Sequence, residues 1–364
     1  MRKLFLLPLL AILSIAFCCT GRANAESESA GKKCLVVGVA FYNLENLFDT
    51  INNNGKYDLE FSPEGARMWN AEKYEKKLSN LARAIVAMST PETPFGPGVI
   101  GISEVENRGV VDDLVRKVDE ILLSEGKEPW NLQVVHHDSP DRRGIDVGLL
   151  YNPLYFQVGN VTNHRLVIPD EPEFLTRDQL CVSGMMLDAP MGFIVNHWPS
   201  RLGGQEESSY LREAAGALSK HIADSLLDVD PDMGVVMMGD LNDDPQNKSC
   251  AVSFGAVRNP EDVVPGGFYN PFWWILDNGV GTLCYKGEWN LFDQIVVSEN
   301  LLKGTRSGLQ YWKATVHNHE FLRTKGGKYH NYPHRTFSGK EFLNGYSDHF
   351  PTEIFLVREI FENF

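Results

Sequence analysis

The 364-residue sequence predicts an α/β fold of two packed mixed sheets flanked by helices, in one domain. Three observations lead there. Short apolar segments of strand length recur along the chain. A few longer segments with helical apolar spacing are inserted between them. No internal repeat and no Pro-, Gly- or Ser-rich linker divides the chain. Hydrophobic residues make up 43% and charged residues 23%, an ordinary globular balance. A chain this long buries a large core.

The elements follow in order. Leu35 to Leu44 reads as a strand. Tyr74, Leu78, Leu81 and Ile85 recur at helical spacing, which predicts a helix from Ala71 to about Met88. Val99–Glu104 is the second strand, and Val111, Leu114, Val118 and Ile121 mark the second helix. Three strands come next, Leu132–His136, Ile145–Tyr151 and Phe156–Leu166; alternation in the middle one puts Ile145, Val147, Leu149 and Tyr151 on one face. Leu180–Leu187 and Gly192–His197 are strands, Leu211, Ala214, Leu218 and Ile222 lie on a long helix, and Gly234–Gly239 is a buried strand. Leu291–Val297 and Thr352–Val357 are late strands. Between these two, residues 319–346 form a long polar connection, and long loops in compact domains are often functional.

The N-terminus has the features of an export signal. Arg2 and Lys3 precede an apolar run from Leu4 to about Cys19, and Ala23-Asn24-Ala25 offers a small-residue cleavage site. Residues 1–25 are therefore expected to be a signal peptide and 26–364 the catalytic domain of a periplasmic or secreted protein. The alternatives are an uncleaved anchor, or an outer-membrane lipoprotein acylated at Cys18 or Cys19, where Phe17 fits poorly. Cys34, Cys181, Cys250 and Cys284 remain after cleavage. An exported chain permits one or two disulfides among them, and buried thiols are the other reading. The net charge of −14 argues against tight non-specific duplex binding through the field of the whole molecule, although a local positive site or a metal ion suffices for a nuclease.

Five segments place polar residues at apolar strand ends, where loops carry sites on rigid scaffolds. In Phe41-Tyr42-Asn43-Leu44-Glu45-Asn46, the strand period puts Asn43 and Glu45 on one face, an amide beside a carboxylate that suits a hard cation or a phosphate oxygen. In Ile102-Ser103-Glu104-Val105-Glu106, Glu104 ends a strand where burial is costly unless the carboxylate is paired or metal-bound; Glu106 either shares that site or opens the next helix. Asn196-His197-Trp198-Pro199-Ser200-Arg201 sets His197 beside a turn whose Ser200 and Arg201 are candidate phosphate contacts. Gly239-Asp240-Leu241-Asn242 again puts an acid and an amide on one face. Tyr346-Ser347-Asp348-His349 precedes the last strand, and Asp293 offers a carboxylate to orient the imidazole of His349.

Taken in chain order, this set resembles the endonuclease/exonuclease/phosphatase family, whose members include DNase I-like nucleases, AP endonucleases, sphingomyelinases and inositol phosphatases. Asn43 and Glu104 match its early amide and metal-binding Glu. His197 matches its middle His, and Asp240 and Asn242 its Gly-Asp-x-Asn element. Asp293 matches the carboxylate behind the terminal His, and Asp348 and His349 the Ser-Asp-His element. The resemblance implies a four-layer α/β sandwich and Mg²⁺, with Mn²⁺ or Ca²⁺ as substitutes, held by Glu104 together with Glu45 or Asp348. It also implies in-line hydrolysis with His349 or Asp240 as base, and His197 as an imidazolium beside the phosphate. Phe41–Asp49, Ser103–Arg108 and Asn196–Gly204 are also similar to a bacterial group of predicted extracellular nucleases.

Three substrate classes follow. Nucleic acid comes first, because of the resemblance to predicted nucleases and because His197 matches the His of DNase I-like enzymes, which sphingomyelinases share and AP endonucleases replace with Tyr. It is also served by the loop Leu322–Lys340, where Arg323, Lys325, Lys328 and Arg335 alternate with Tyr329, Tyr332 and Phe337. Phospholipid is the second, with Tyr269, Phe272, Trp273 and Trp274 either facing a membrane or packed in the core. Small phosphate esters are the third, and a non-catalytic binding module is the reading outside enzymology.

Overall fold

A computed structural model describes residues 33–51, 60–305 and 308–360. The expected signal segment and both candidate lipidation cysteines lie outside the described residues. In chain order the elements are β1 (Lys33–Leu47), α1 (Ala71–Val86), β2 (Val99–Val105), α2 (Arg108–Ser124), β3 (Gln133–His136), β4 (Asp146–Tyr151), β5 (Phe156–His164), β6 (Gln179–Met186), β7 (Ala189–His197), α3 (Ser209–Val229) and β8 (Gly234–Asp240). A π-helical turn at Ser249–Phe254 follows. Then come β9 (Ala256–Val257), β10 (Phe268–Tyr269), α4 (Phe272–Asp277), β11 (Leu283–Tyr285), β12 (Glu288–Asn290), β13 (Asp293–Ser298), α5 (Glu299–Lys303), β14 (Gln310–Val316), β15 (Phe337–Ser338), β16 (Glu341–Phe342) and β17 (Thr352–Ile360).

The strands form two large sheets. One runs β14-β17-β1-β2-β4-β3, the other β5-β6-β7-β8-β13-β10-β9. Both are mixed. β1 lies parallel to β2 and β7 parallel to β8, while the last strand, β17, runs antiparallel to the first. The sheets pack face to face, β1 and β2 against β8 and β13. Gly101 leaves room there for Met238, whose sulfur would lie 2.6 Å from a Cβ at that position. Helices α1 and α2 pack on each other, with α2 against β2 and β3. Helix α3 packs on β7 and β8, its outer flank against the π-helical turn. The result is helix, sheet, sheet, helix.

Local chemistry explains the helices. Asn70 and Asn107 cap α1 and α2, each accepting from a backbone N–H three residues on, at 3.0 and 3.1 Å, a contribution of about 1 kcal/mol each. Leu78, Leu81 and Ile85 are fully buried along α1, which contributes roughly 1.5–3 kcal/mol per side chain. β4 departs from simple alternation. Residues 146–150 are buried on both faces, because β4 lies inside its sheet between β2 and β3.

Other expectations resolve here. Cys181, Cys250 and Cys284 are free thiols. Phe272 is fully buried and Tyr269 packs on Tyr311, which leaves Trp274 as the exposed ring of the aromatic cluster. Among the described residues no helix is long and apolar enough to cross a membrane. The polar connection of residues 319–346 is built from two short 3₁₀ turns and the hairpin β15–β16.

Gly239 stands opposite Asn196 in the β7–β8 pair, and a Cβ there would meet the Asn196 carbonyl oxygen at 2.3 Å. Gly239→Ala is expected to cost about 1–3 kcal/mol. It should appear as a lower urea midpoint with unchanged slope; an unchanged midpoint would contradict the close packing of β7 on β8.

Candidate active site

The second sheet lays three polar residues in one row. His197 ends β7 opposite Asp240 at the end of β8, and Asp240 stands opposite Asp293 at the start of β13. The first sheet supplies Asn43 from β1 and Glu104 from β2. Asn43 Nδ2 crosses between the sheets to donate to Asp240 Oδ2 at 2.9 Å and makes a longer contact of 3.4 Å with Glu104 Oε1. His349, just ahead of β17, completes the group. Its Nδ1 donates to Asp293 Oδ2 at 2.7 Å, and its Nε2 points toward Asp240, 3.9 Å away.

The backbone turns sharply where these side chains emerge. Glu45, Asn46, Glu104 and Asn242 all have φ between 49° and 61°. This left-handed conformation is uncommon for residues with a Cβ and concentrates at functional sites. The turn at Asn242 brings its N–H to Asp240 Oδ1 at 3.0 Å and its side chain to the Trp198 carbonyl at 3.0 Å. The turn at Glu45 sends its carboxylate sideways, where Thr336 N–H donates to Oε2 at 2.6 Å and Arg335 Nε reaches Oε1 at 3.4 Å.

The two histidines titrate in opposite directions. Burial pushes His197 well below the ordinary imidazole value, and Arg177, Arg143 and His349 push it further. Its Nδ1 is buried without a partner, while Nε2 faces Asp240 at 3.6 Å and Glu104 at 3.9 Å. This is the arrangement of a neutral ring protonated on Nε2. That direction runs against the imidazolium expected at this position. Burial would lower His349 too, but Asp293, Asp240 and Asp348 outweigh it and hold His349 well above the usual value. Burial raises Asp240 to about 6, with Asp293 and Glu104 adding to the rise and His349 opposing it.

The three carboxylates expected to share a metal do not close on one point. Asp348 is drawn to Arg335, whose Nη2 donates to Oδ2 at 2.7 Å. Glu45 is held by Thr336, Arg335 and the buried Lys77, 3.8 Å away. Glu104 keeps Oε1 free of any hydrogen bond shorter than 3.4 Å. Carboxylate and amide oxygens are the donors that Mg²⁺ selects; of the three, Glu104 keeps an oxygen open to one, and the cleft residues close enough to share one ion are Asp240, Asp293 and His349.

The phosphate contacts expected from the turn after β7 are not presented to the site. Ser200 is exposed, and its carbonyl accepts from Arg212. Arg201 lies over the Phe292 ring. Its donors are spent on the Asn242 carbonyl, Asp243, Gln205 and Asn247, where they brace the loop after β8.

Other cations hold the site instead. Arg177 is buried against Asp141 and donates to the carbonyls of His197 and Trp198 at 3.1 and 2.6 Å, which fixes the end of β7. Arg143 reaches Asn46 Oδ1 at 2.5 Å and lies 3.9 Å from Glu104. Lys77 donates to Thr336 Oγ1 and the Tyr346 carbonyl at 2.6 and 2.7 Å, and burial lowers it to about 8 against the pull of Glu45 and Asp348. Lys77 had a signal in the sequence, a lysine next to Leu78 inside the apolar stripe of α1. The two arginines had none.

The Endonuclease/Exonuclease/phosphatase family model matches residues 38–358. The chain belongs to that family. Phosphoester hydrolysis is the activity this membership supports. Among solved structures, TDP2 from Caenorhabditis elegans aligns at 14% identity over 88% of this chain and 75% of its own, with a TM-score of 0.52. An endonuclease/exonuclease/phosphatase family protein from Bacteroides thetaiotaomicron aligns at 15% identity, over 90% of this chain and 100% of its own, with a TM-score of 0.51. A mannosyl-6-phosphatase from the same organism aligns at 15% identity, over 89% and 100%, with a TM-score of 0.50. These likenesses show the shared fold. No curated protein matches the chain in sequence.

The electrostatics give a direct test. Because Asp240 is raised in the folded protein, its contribution to stability is complete below the unfolded value of 3.8 and is lost as pH rises through about 6. In a carbon-detected NMR titration of the metal-free protein, the Asp240 carboxyl should therefore titrate near pH 6. A midpoint at 4 or below would contradict the burial and charge arrangement described for the cleft.

Proposed function

We propose that this protein is an exported, divalent-metal-dependent phosphodiesterase that cuts nucleic acid. The phosphoesterase part rests on the Asp293–His349 pair aimed at Asp240, with Asn43 and Glu104 closing the same cleft from the opposite sheet. Nucleic acid as substrate is supported by a run of rings that begins beside His349. Phe350 is buried and stacks on Trp289 at 6.1 Å, Trp289 meets Tyr332 at 5.9 Å, and Tyr332 meets Tyr329 at 5.6 Å, with Lys328 over the exposed last ring. Aromatic faces with interleaved cations are what unpaired bases and their phosphates stack and pair on. Export is inferred from residues 1–25 alone.

Glu104, with Glu45 and Asp348 behind it, would hold the metal, which supplies positive charge to the phosphate oxygens as negative charge develops. The remaining roles belong to the chain. Asp240, raised toward neutrality and oriented by Asn43 and the Asn242 N–H, takes the proton from the attacking water. His349, kept charged by Asp293, faces the phosphate through Nε2 and returns a proton to the leaving oxygen. His197, neutral and buried, donates Nε2–H toward Asp240 and the substrate side of Glu104. On this reading Asp240 rather than His349 is the base.

The assay is nicking of supercoiled plasmid by the mature protein with Mg²⁺. EDTA should abolish it, Mn²⁺ or Ca²⁺ should restore it to differing extents, and His349→Ala should slow it roughly 10²–10⁴-fold. A folded wild-type protein that nicks nothing with any of the three metals would end the nuclease reading.

A further inference from the structure

Beside the catalytic cleft lies a cavity of about 120 Å³ lined by Glu45, Asn46, Phe61, Arg67, Arg335 and Phe337. Two guanidiniums face it from distant parts of the chain. Arg67 lies over the corner formed by the rings of Phe61 and Phe337, 5.0 and 4.8 Å from their centroids. Its Nη1 donates to the Gly339 carbonyl at 2.8 Å and its Nε lies 3.3 Å from Glu60 Oε2, so the plane of the fork is fixed. Arg335 is fixed by Glu45 and Asp348 through Nε and Nη2. Arg67 Nη2 and Arg335 Nη1 have no hydrogen bond or ion pair among the described residues.

We propose that this cavity is a subsite for a second phosphate group of the substrate, next to the one that is cut. The inference rests on the phosphoesterase reading of the neighbouring cleft. Arg335 on the cavity wall is bonded to Asp348, the neighbour of His349, which sets the cavity beside the catalytic cleft. Two planar forks approaching from different segments suit a tetrahedral, doubly charged anion; a planar carboxylate would use one fork. The acid on the inner wall, Glu45, already accepts from Thr336 and sits beside Lys77. Glu60 is half-exposed on the outer side. The second phosphate can come from the next nucleotide of a nucleic acid or from a bisphosphorylated small molecule.

The test has two readouts. The first compares kcat/KM for thymidylyl-thymidine with and without a 5′-phosphate, and for a hexose monophosphate against a hexose bisphosphate. The wild-type protein should favour the second phosphate by about tenfold or more in at least one arm, the size of one charge-assisted hydrogen bond. Arg67→Met, which keeps the ring contacts, should bring that ratio close to one, and Arg67→Lys should restore part of it. A preference in the nucleotide arm alone marks a nucleic-acid subsite; in the sugar arm alone it marks a bisphosphorylated small molecule. The second readout is calorimetric titration of inorganic phosphate into metal-free protein, where Arg67→Met should weaken binding about tenfold or more. A wild-type ratio near one in both arms, or a ratio and a phosphate affinity that Arg67→Met leaves alone, overturns the subsite. Phosphate binding that depends on Arg67 in a protein that hydrolyses no ester would keep the subsite and remove the phosphoesterase reading; hydrolysis without any effect of Arg67 would do the reverse.

Discussion

The hydrogen bond from Asn43 to Asp240 joins the two sheets where their strand ends meet, and the rest of the site is arranged around it. Asn43 belongs to the first strand and Asp240 to the middle of the second sheet, so the bond requires both sheets to be formed and in register. Its acceptor then holds a row in place, His197 on one side and Asp293 on the other. A shift of one residue in β1 would point Leu44 at Asp240 and take away the donor to its buried Oδ2, which costs about 1–3 kcal/mol. The register of β1 is therefore a condition of the site as well as of the core.

Crowding so much negative charge into one cleft has consequences for the whole neighbourhood. Glu45 is raised to about 7 by burial and by Asp348, in spite of Lys77 and Arg335. Lys77 lies fully buried beneath it, and His349 is held charged. Each cation answers an acid, and a divalent ion would redistribute the same balance by competing with Arg335 for Glu45 and Asp348. The left-handed turns at Glu45, Asn46, Glu104 and Asn242 cost about 1–3 kcal/mol each. They persist because apolar β-strands anchored in the inter-sheet core lead directly into them.

Much of this was legible in the sequence, for physical reasons that differ by residue. Apolar runs that stop at polar residues marked Asn43 and Asp240 at strand ends, whereas the shared faces expected for Asn43 with Glu45 and for Asp240 with Asn242 are broken by the left-handed turns at Glu45 and Asn242. The long strands and the helices α1, α2 and α3 were visible because their apolar faces are continuous. β14 was not, since Gln310–Val316 is half-exposed at a sheet edge and its apolar and polar residues do not alternate. Arg201 looked like a phosphate fork because a sequence shows a guanidinium near a His without showing the acids, Asp243 and Asp244, that already surround it. The converse holds for Arg143 and Arg177. Each reaches the cleft from a loop whose path depends on tertiary packing, which no local spacing encodes.

The last strand carries a further implication. β17 pairs along nearly its full length with β1, and the residues just before it, Ser347, Asp348 and His349, are the final pieces of the site. Ser347 even donates its hydroxyl to the Asn43 carbonyl, which ties the late segment to the earliest one. During synthesis β1 must wait unpaired on this flank until residues 352–360 have emerged, and ring closure of that length is slow. The site thus stays incomplete until these residues are in place. A truncated product lacking them would lack His349 and the strand that joins β14 to β1.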